Sequence, residues 1–439
     1  MGVDTGYDKS KLPLDTILPP RILYFFIICL QRSMVYFDIP PRHIITYSES
    51  FMTDINIHFS REEFSQRQDS VRASMNAQGL DGLLVFKIED MYWLTGYDSD
   101  GFSIFGCMFI GTEGKLTHLA RPADLGNASY SSICEDVITA SDAHKVTRAE
   151  QIKAMLNLLR MQGKKIGIQV DTMGLTPRLF LEIKDALDGW CQLTVAPDFI
   201  RELRLVKSPQ ELCYLRKAGE ILDIALEKTL EATLSGAFEG DIYATFYDTL
   251  FRLDGDLPAH IPPIGSGKSA LNLRYTTKRK HVLDNDQVTL ELGVAYRHYH
   301  AASMCVVLTG PQISQRHLEM HATSVVALDA VQSILRPGTT VGEIYDSYQT
   351  TLEENGEKDS VLTVCGYTMG AAWPPTWMEQ PLIHKGNPVV LEKNMSFFTH
   401  MILNDRKTGL SMAVAEQAII TEDAPEIITH VPRTPIIKS

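Results

Sequence analysis

From Arg61 to Gly79 apolar residues return at close to the helical period, with Phe64, Val71 and Met75 followed by Leu80, and the pattern predicts a helix. LLVF (83–86) is a short apolar run of buried-strand character, and MYWLTGYDS (91–99) reads as a strand running into a turn. A helix over 148–162, a strand at KIGIQV (165–170) and a helix over 176–187 follow, an alternation that builds an α/β layer. At RLVKSPQELCYLRKAGEIL (204–222) the character changes. Ser208 is placed to cap a helix, Pro209 occupies a first-turn position where its missing N–H costs nothing, and Glu211 follows early in the helix. A boundary near Arg204 divides the chain into an extension over 1–51, an α/β domain over 52–204 and a second domain over 205–439.

The second domain carries a weak internal repeat. GAFEGDIY (236–243) and GTTVGEIY (338–345) share the spacing Gly-x-x-x-Gly-acid-Ile-Tyr, each after one helical segment and before another. One reading is coincidence between two helical connectors. The other is a domain of two similar halves facing one cleft, where side chains from both converge.

Composition narrows the function. The chain has 439 residues, 44% of them apolar, enough for a large core in more than one domain. A net charge of −13 argues against nucleic acid, whose phosphates need a basic face. Seven scattered cysteines without a C-x-x-C pair point to buried thiols in a reducing compartment. ILYFFIICL (22–30) is too short to span a bilayer and lacks a small-residue cleavage site after it. Met52 opens MTDINIHFSREEF, so residues 1–51 read as a dispensable or misassigned extension and the protein as cytoplasmic, with no membrane partner.

Five blocks then fall in a telling order: GSG (265–267), ELGVAYRHYHA (291–301), GYTMG (366–370), MSFFTHM (395–401) and AEQAIIT (415–421). Together with DGLLVF (81–86), YWLTGY (92–97) and RLVKSPQEL (204–212), they resemble the creatinase, aminopeptidase P and methionine aminopeptidase family from about Phe59 to Pro432. The resemblance implies an amino-terminal creatinase-like α/β domain and a carboxy-terminal pita-bread domain (α+β) with pseudo-twofold halves, working as a homodimer. In the family's metallopeptidases these blocks supply two Asp, one His and two Glu to a pair of divalent cations. Here the corresponding positions hold Glu291, Ala302, Tyr367, His400 and Glu416. Ala302 cannot ligate, so no metal pair and no cofactor is expected; a His–Glu pair alone falls short of the three protein ligands of catalytic zinc.

Among family members the chain most resembles creatinase and ectoine hydrolase, the latter through Glu291, Tyr299-His300-Ala301, Gly366-Tyr367 and Pro374-Pro375-Thr376-Trp377. It departs from that pattern at Arg274 and Cys305, where His and Arg are the resembled residues. The resemblance thus implies a small-molecule substrate, with Glu291, His400 and Glu416 in acid/base roles and Tyr367 donating a proton or stabilising charge. Arg274 either grips a substrate carboxylate or belongs to a solvated basic run, TTKRKH (276–281). Strand alternation puts His298 and His300 on one face and Tyr299 on the other, leaving His300 either catalytic or structural. Tyr299 stands with Tyr367 as a substrate-binding group able to donate a proton or stabilise charge, while Tyr97, Trp373 and Trp377 either line the pocket, aromatic faces turned to a substrate cation, or pack the core. A carboxylate clamp beside an aromatic wall suits a zwitterion. The first expectation is β-elimination, dimethylsulfoniopropionate giving dimethyl sulfide and acrylate. The alternative is hydrolysis of a C–N bond, as in ectoine hydrolase or creatinase; a peptidase and a non-catalytic binding module stand behind these.

Overall fold

Two β-sheets organise the chain, which a computed structural model describes over residues 45–46, 55–141, 146–277 and 279–438. The first contains β1 (Ile45–Thr46), β2 (Gly82–Val85), β3 (Cys107–Gly111), β4 (Thr117–Ala120), β5 (Asp136–Thr139), β6 (Lys165–Ile168) and β7 (Gln192–Val195). Its order is β1-β5-β4-β3-β2-β6-β7. Six helices accompany it: α1 (Arg61–Ala77), α2 (Ile88–Thr95), α3 (Leu125–Ser131), α4 (Arg148–Leu158), α5 (Pro177–Leu187) and α6 (Phe199–Leu205). Period-two alternation sends Leu83 and Val85 into one apolar cluster and Leu84 and Phe86 into another, so both faces of the sheet are covered.

The strand expected at 91–99 is instead helix α2, ended by Gly96 in the left-handed conformation at φ 81° with its N–H on the Tyr92 carbonyl. A short apolar run does not declare its period when every side is buried, as Met91, Tyr92, Trp93 and Leu94 are. Gly96 was the available sign, being the residue type that closes a helix this way. ILYFFIICL lies outside the described residues. Ile45 and Thr46, however, pair antiparallel with β5, which ties that part of the 1–51 stretch to the first sheet. Among the described residues no helix is long and apolar enough to cross a membrane.

The second sheet contains β8 (Ile264–Ser266), β9 (Gln287–Tyr296), β10 (Tyr299–Thr309), β11 (Gly366–Thr368), β12 (Glu379–Leu382), β13 (Ser396–Asp405) and β14 (Leu410–Ile419). They run in the order β12-β11-β13-β14-β10-β9-β8, with β15 (Glu426–Ile427) added to β14 and β16 (Ile436–Lys438) to β10. Helices α7 (Pro209–Ala232), α8 (Glu239–Arg252), α9 (Gln315–Gln332) and α10 (Val341–Glu354) pack with it. The internal repeat is structural. Gly236 and Gly338 both take positive φ, 79° and 91°, and both donate their N–H to a distant loop, to Val282 and Leu391. Those two residues return a bond to the carbonyls of Ala237 and Thr339. Each half then contributes one long hairpin, β9–β10 and β13–β14, and the hairpins join through β10 and β14. This is the two-domain, pseudo-twofold pita-bread architecture that the sequence led us to expect.

Arg204 fastens the domains together. Its guanidinium reaches Asp90 in α2 at 3.1 Å, Glu379 at the start of β12 at 2.7 Å and the Ala371 carbonyl at 2.7 Å, all in a buried seam. Ser208 caps α7 as expected, and Glu211 returns the contact to complete a capping box. Replacing Arg204 by Met leaves the buried Asp90 and the partly buried Glu379 without their cation, a class of change that costs about 3–5 kcal/mol for a buried charge. The expected result is a lower thermal midpoint for Arg204→Met, read by circular dichroism on the full chain; an unchanged midpoint contradicts the seam's role.

Candidate active site

The antiparallel register fixes a transverse row across four strands. Glu291 in β9 faces Met304 in β10, Met304 faces Ala415 in β14, and Ala415 faces His400 in β13. Directly paired residues point to the same side of a sheet, so Glu291 and His400 project to one face from the two ends of this row. Each is the fifth residue of a ten-residue strand, which makes them counterparts in the two halves. The next row begins with Gly293 opposite Ala302 and ends with Phe398 opposite Tyr367. Gln417, paired with Phe398, closes the gap by accepting the Ala302 N–H at 3.0 Å.

Trp377 lies against Gly293, where a Cβ would come within 2.5 Å of its ring carbon Cζ3. Glycine inside a strand here admits a close neighbour. The indole Nε1–H donates to the Tyr367 hydroxyl oxygen at 3.0 Å, leaving the phenol's own proton for another acceptor. Tyr367 and His400 stand 6.0 Å apart by ring centroid, and Phe398 contacts both. His260 meets Trp377 edge-on at 5.3 Å. Arg274 lies exposed with one nitrogen on the Leu273 carbonyl and the other on the Met378 sulfur, next in chain to Trp377. Its charge reaches Glu291, Tyr367, His400 and His260.

Burial sets the protonation states. It raises the Glu291 carboxyl to about 7, against a smaller lowering by Arg274. Among the described residues nothing hydrogen-bonds that carboxylate. Burial also lowers His400 to about 4, so its imidazole is neutral at pH 7; its Nδ1 is buried and, among the described residues, has no partner. The Tyr367 phenol is pushed up by burial and then by the Glu291 charge, and so keeps its proton.

Several predicted residues stand elsewhere. Glu416 is paired with Thr399, one step out of the row, so alternation turns it to the opposite face. There it accepts from Val431 N–H at 3.0 Å, Gln332 at 2.9 Å and Arg433 at 2.8 Å, a structural ion pair in place of the expected catalytic role. His300 is held by the backbone on one side: its Nε2 accepts the Ala259 N–H at 2.8 Å, burial takes it down to about 4, and among the described residues its buried Nδ1 has no partner. His298 does not share a strand face with it, because Arg297 and His298 form the hairpin turn at φ 52° and 66°. Tyr299, Trp373 and Tyr97 belong to packing rather than to the pocket. Tyr299 bonds Glu211 at 2.7 Å; Trp373 stacks on His298 at 3.9 Å and bonds the Ser99 carbonyl at 2.7 Å; Tyr97 packs on His118 at 4.6 Å. Trp377 is buried beside the site. Sequence reasoning missed His260, which sits in no motif, and Gly293, whose place inside an apolar strand was the available signal. A separate cleft of about 640 Å³, lined by residues including Asp241, Thr277 and Arg279, holds none of the predicted site residues.

Residues 67–206 match the creatinase/prolidase N-terminal domain, and residues 213–422 match metallopeptidase family M24. The chain belongs to this family. Ectoine hydrolase of Halomonas elongata is 24% identical to the M24 chain over 404 residues, spanning 88% of it and 100% of that protein. An uncharacterized hydrolase/peptidase of Sinorhizobium fredii is 28% identical over 398 residues, spanning 87% of this chain and 99% of its own. Dipeptidase PepE from Mycobacterium ulcerans superposes with a TM-score of 0.75 at 19% identity, covering 86% of this chain and 99% of that one. Prolidase from Thermococcus sibiricus does so at 0.76, again at 19% identity and with 86% and 99% covered. At such identities the solved structures speak for the fold.

The family name implies metal, yet the residues of this M24 chain do not fit a metal pair. Ala302 offers no ligand atom, the Tyr367 oxygen already receives the indole N–H, and the Trp377 ring occupies the space over Gly293. Among the described residues no group of three or more His, Cys, Asp or Glu is arranged to hold an ion.

The raised Glu291 gives a signed prediction. A carboxyl near 7 when folded and near 4.5 when unfolded binds more protons in the native state between those values, so its contribution to stability falls as pH rises through that window. Glu291→Gln removes the buried charge. The variant is expected to be more stable than wild type at pH 8, by on the order of 3 kcal/mol, with the gap closing by about pH 4.5. Parallel thermal melts at the two pH values check this; a variant less stable at pH 8 contradicts it.

Proposed function

We propose that this chain hydrolyses a C–N bond in a small zwitterionic metabolite, a cyclic amidine such as ectoine being the first candidate, without a metal pair. The observation that carries the reading is Glu291: a buried carboxyl brought to about 7, projecting to the same face as His400 with Tyr367 in the next row. A group with its pKa at working pH both takes and returns protons efficiently. The full-length likeness to the Halomonas elongata ectoine hydrolase supports hydrolysis. β-Elimination has weaker support, since the relatives named above are hydrolases and peptidases.

In the proposed reaction ionised Glu291 takes a proton from water as the water oxygen attacks the amidine carbon. The C–O bond forms while the C=N π pair moves to nitrogen. The tetrahedral adduct then collapses, the C–N bond breaks, and the oxygen remains as an amide carbonyl. Both water protons end on the departing nitrogen, relayed through Glu291, which returns to its starting state. Tyr367, its oxygen already accepting from Trp377, donates toward charge that develops at the reacting centre. Neutral His400 accepts or donates a hydrogen bond without adding charge. Arg274 takes the substrate carboxylate through its two-nitrogen fork. The working form we propose is a homodimer; light scattering that returns the mass of one chain contradicts that part.

Proton NMR of chelator-treated protein with ectoine tests the reading. Ring-opened acetyl-diaminobutyrate is the expected product, and Glu291→Gln is expected to lower kcat at least 100-fold. The rate should rise with pH through about 7, as the base form of Glu291 is populated. An unchanged ectoine spectrum, or activity that returns only with added divalent metal, overturns the proposal.

A further inference from the structure

The segment between Ala259 and Pro263 runs beside the site: the Pro263 carbonyl accepts the Glu291 N–H at 3.0 Å, and the Ala259 N–H is held by His300 at 2.8 Å. His260 lies between these anchors, edge-on to Trp377. Its Nδ1 is 3.4 Å from the Pro375 carbonyl oxygen. A carbonyl can only accept, so Nδ1 carries the hydrogen and Nε2 presents its lone pair. That Nε2 is sealed from solvent and, among the described residues, has no partner. Burial and the Arg274 charge both favour the neutral ring.

A buried acceptor left unmet costs on the order of 1–3 kcal/mol, and such atoms are uncommon unless something completes them. We infer that His260 is a ligand-binding residue of this site, whose Nε2 accepts a hydrogen bond from an N–H of the substrate while Arg274 takes its carboxylate. The inference rests on the proposed hydrolase reading and narrows it. The ligand class becomes an amino or amidino acid that offers at least one N–H, as distinct from a fully alkylated ammonium or sulfonium carboxylate, which has none to give. His300 acts in this as a positioning residue, because its bond to the Ala259 N–H fixes the backbone that carries His260.

The test compares wild type with His260→Phe, which keeps a ring against Trp377 and removes the acceptor. Nitrogen-15 NMR of the histidine-labelled full chain at pH 7 should show, for the resonance lost in the variant, a neutral ring protonated at Nδ1. Calorimetric titration should show ectoine binding weakened at least tenfold in His260→Phe, while its ligand-free thermal midpoint equals or exceeds that of wild type. Glycine betaine, which has no N–H, should bind wild type no more tightly than it binds the variant. A ring protonated at Nε2, or equal ectoine affinity in the two proteins, overturns the part given to His260. Ectoine binding absent from wild type overturns the proposed substrate, and with it the inference that rests on it. A variant that binds weakly and also melts well below wild type is replaced by His260→Leu; weakened binding with a normal midpoint supports the inference, and full-strength binding overturns it.

Discussion

The site depends on the register of four antiparallel strands. Because β9 meets β10, β10 meets β14 and β14 meets β13 without a slip, Glu291 and His400 stand on one face with Met304 and Ala415 between them. A slip of one residue would turn either side chain into the helices behind the sheet. Glu416 illustrates the consequence, since one step along β14 suffices to place it among Gln332, Val431 and Arg433. The two halves of the domain thereby supply unlike groups from like positions, a carboxyl from the first and an imidazole from the second.

Around that row, polar groups have been replaced by packing. Gly293 and Ala302 face each other and neither offers a ligand atom, and Trp377 fills the space that the missing side chain of Gly293 leaves. The indole carries one donor and uses it on Tyr367, so the phenol is oriented without an added charge. The same dehydrated surroundings hold His400 neutral and bring Glu291 into the range where it exchanges protons at neutral pH. Arg274, from the rim, supplies positive charge whose influence reaches both. The metal-free acid/base chemistry we propose rests on this economy of charged groups.

Much of this was legible in the sequence, for identifiable reasons. The fold could be read because several moderately specific blocks fell in order and because Gly236 and Gly338 recur in one spacing, each needed for a left-handed turn. Glu291, Tyr367 and His400 could be picked out by the same blocks, and Arg274 by its departure from the resembled pattern. What escaped was side-chain direction. Glu416 and Ala415 are adjacent letters, and only the paired strand decides which of them faces the site. The aromatic residues Tyr97, Tyr299 and Trp373 could not be assigned by type, because a domain seam and a substrate pocket both select large rings with one polar atom. His260 left no pattern at all; its significance arises from an unmet nitrogen that exists only in three dimensions.

The central claim is that Glu291 is a buried carboxyl titrating near neutrality, and infrared difference spectroscopy measures this most directly. Spectra of wild type minus Glu291→Gln, recorded on chelator-treated protein from pH 4 to pH 9, isolate the carboxyl stretch of that one side chain. A protonated-acid band that fades with a midpoint near pH 7 is the result predicted here. A band already lost by about pH 5, the range of an ordinary exposed glutamate, would contradict the account.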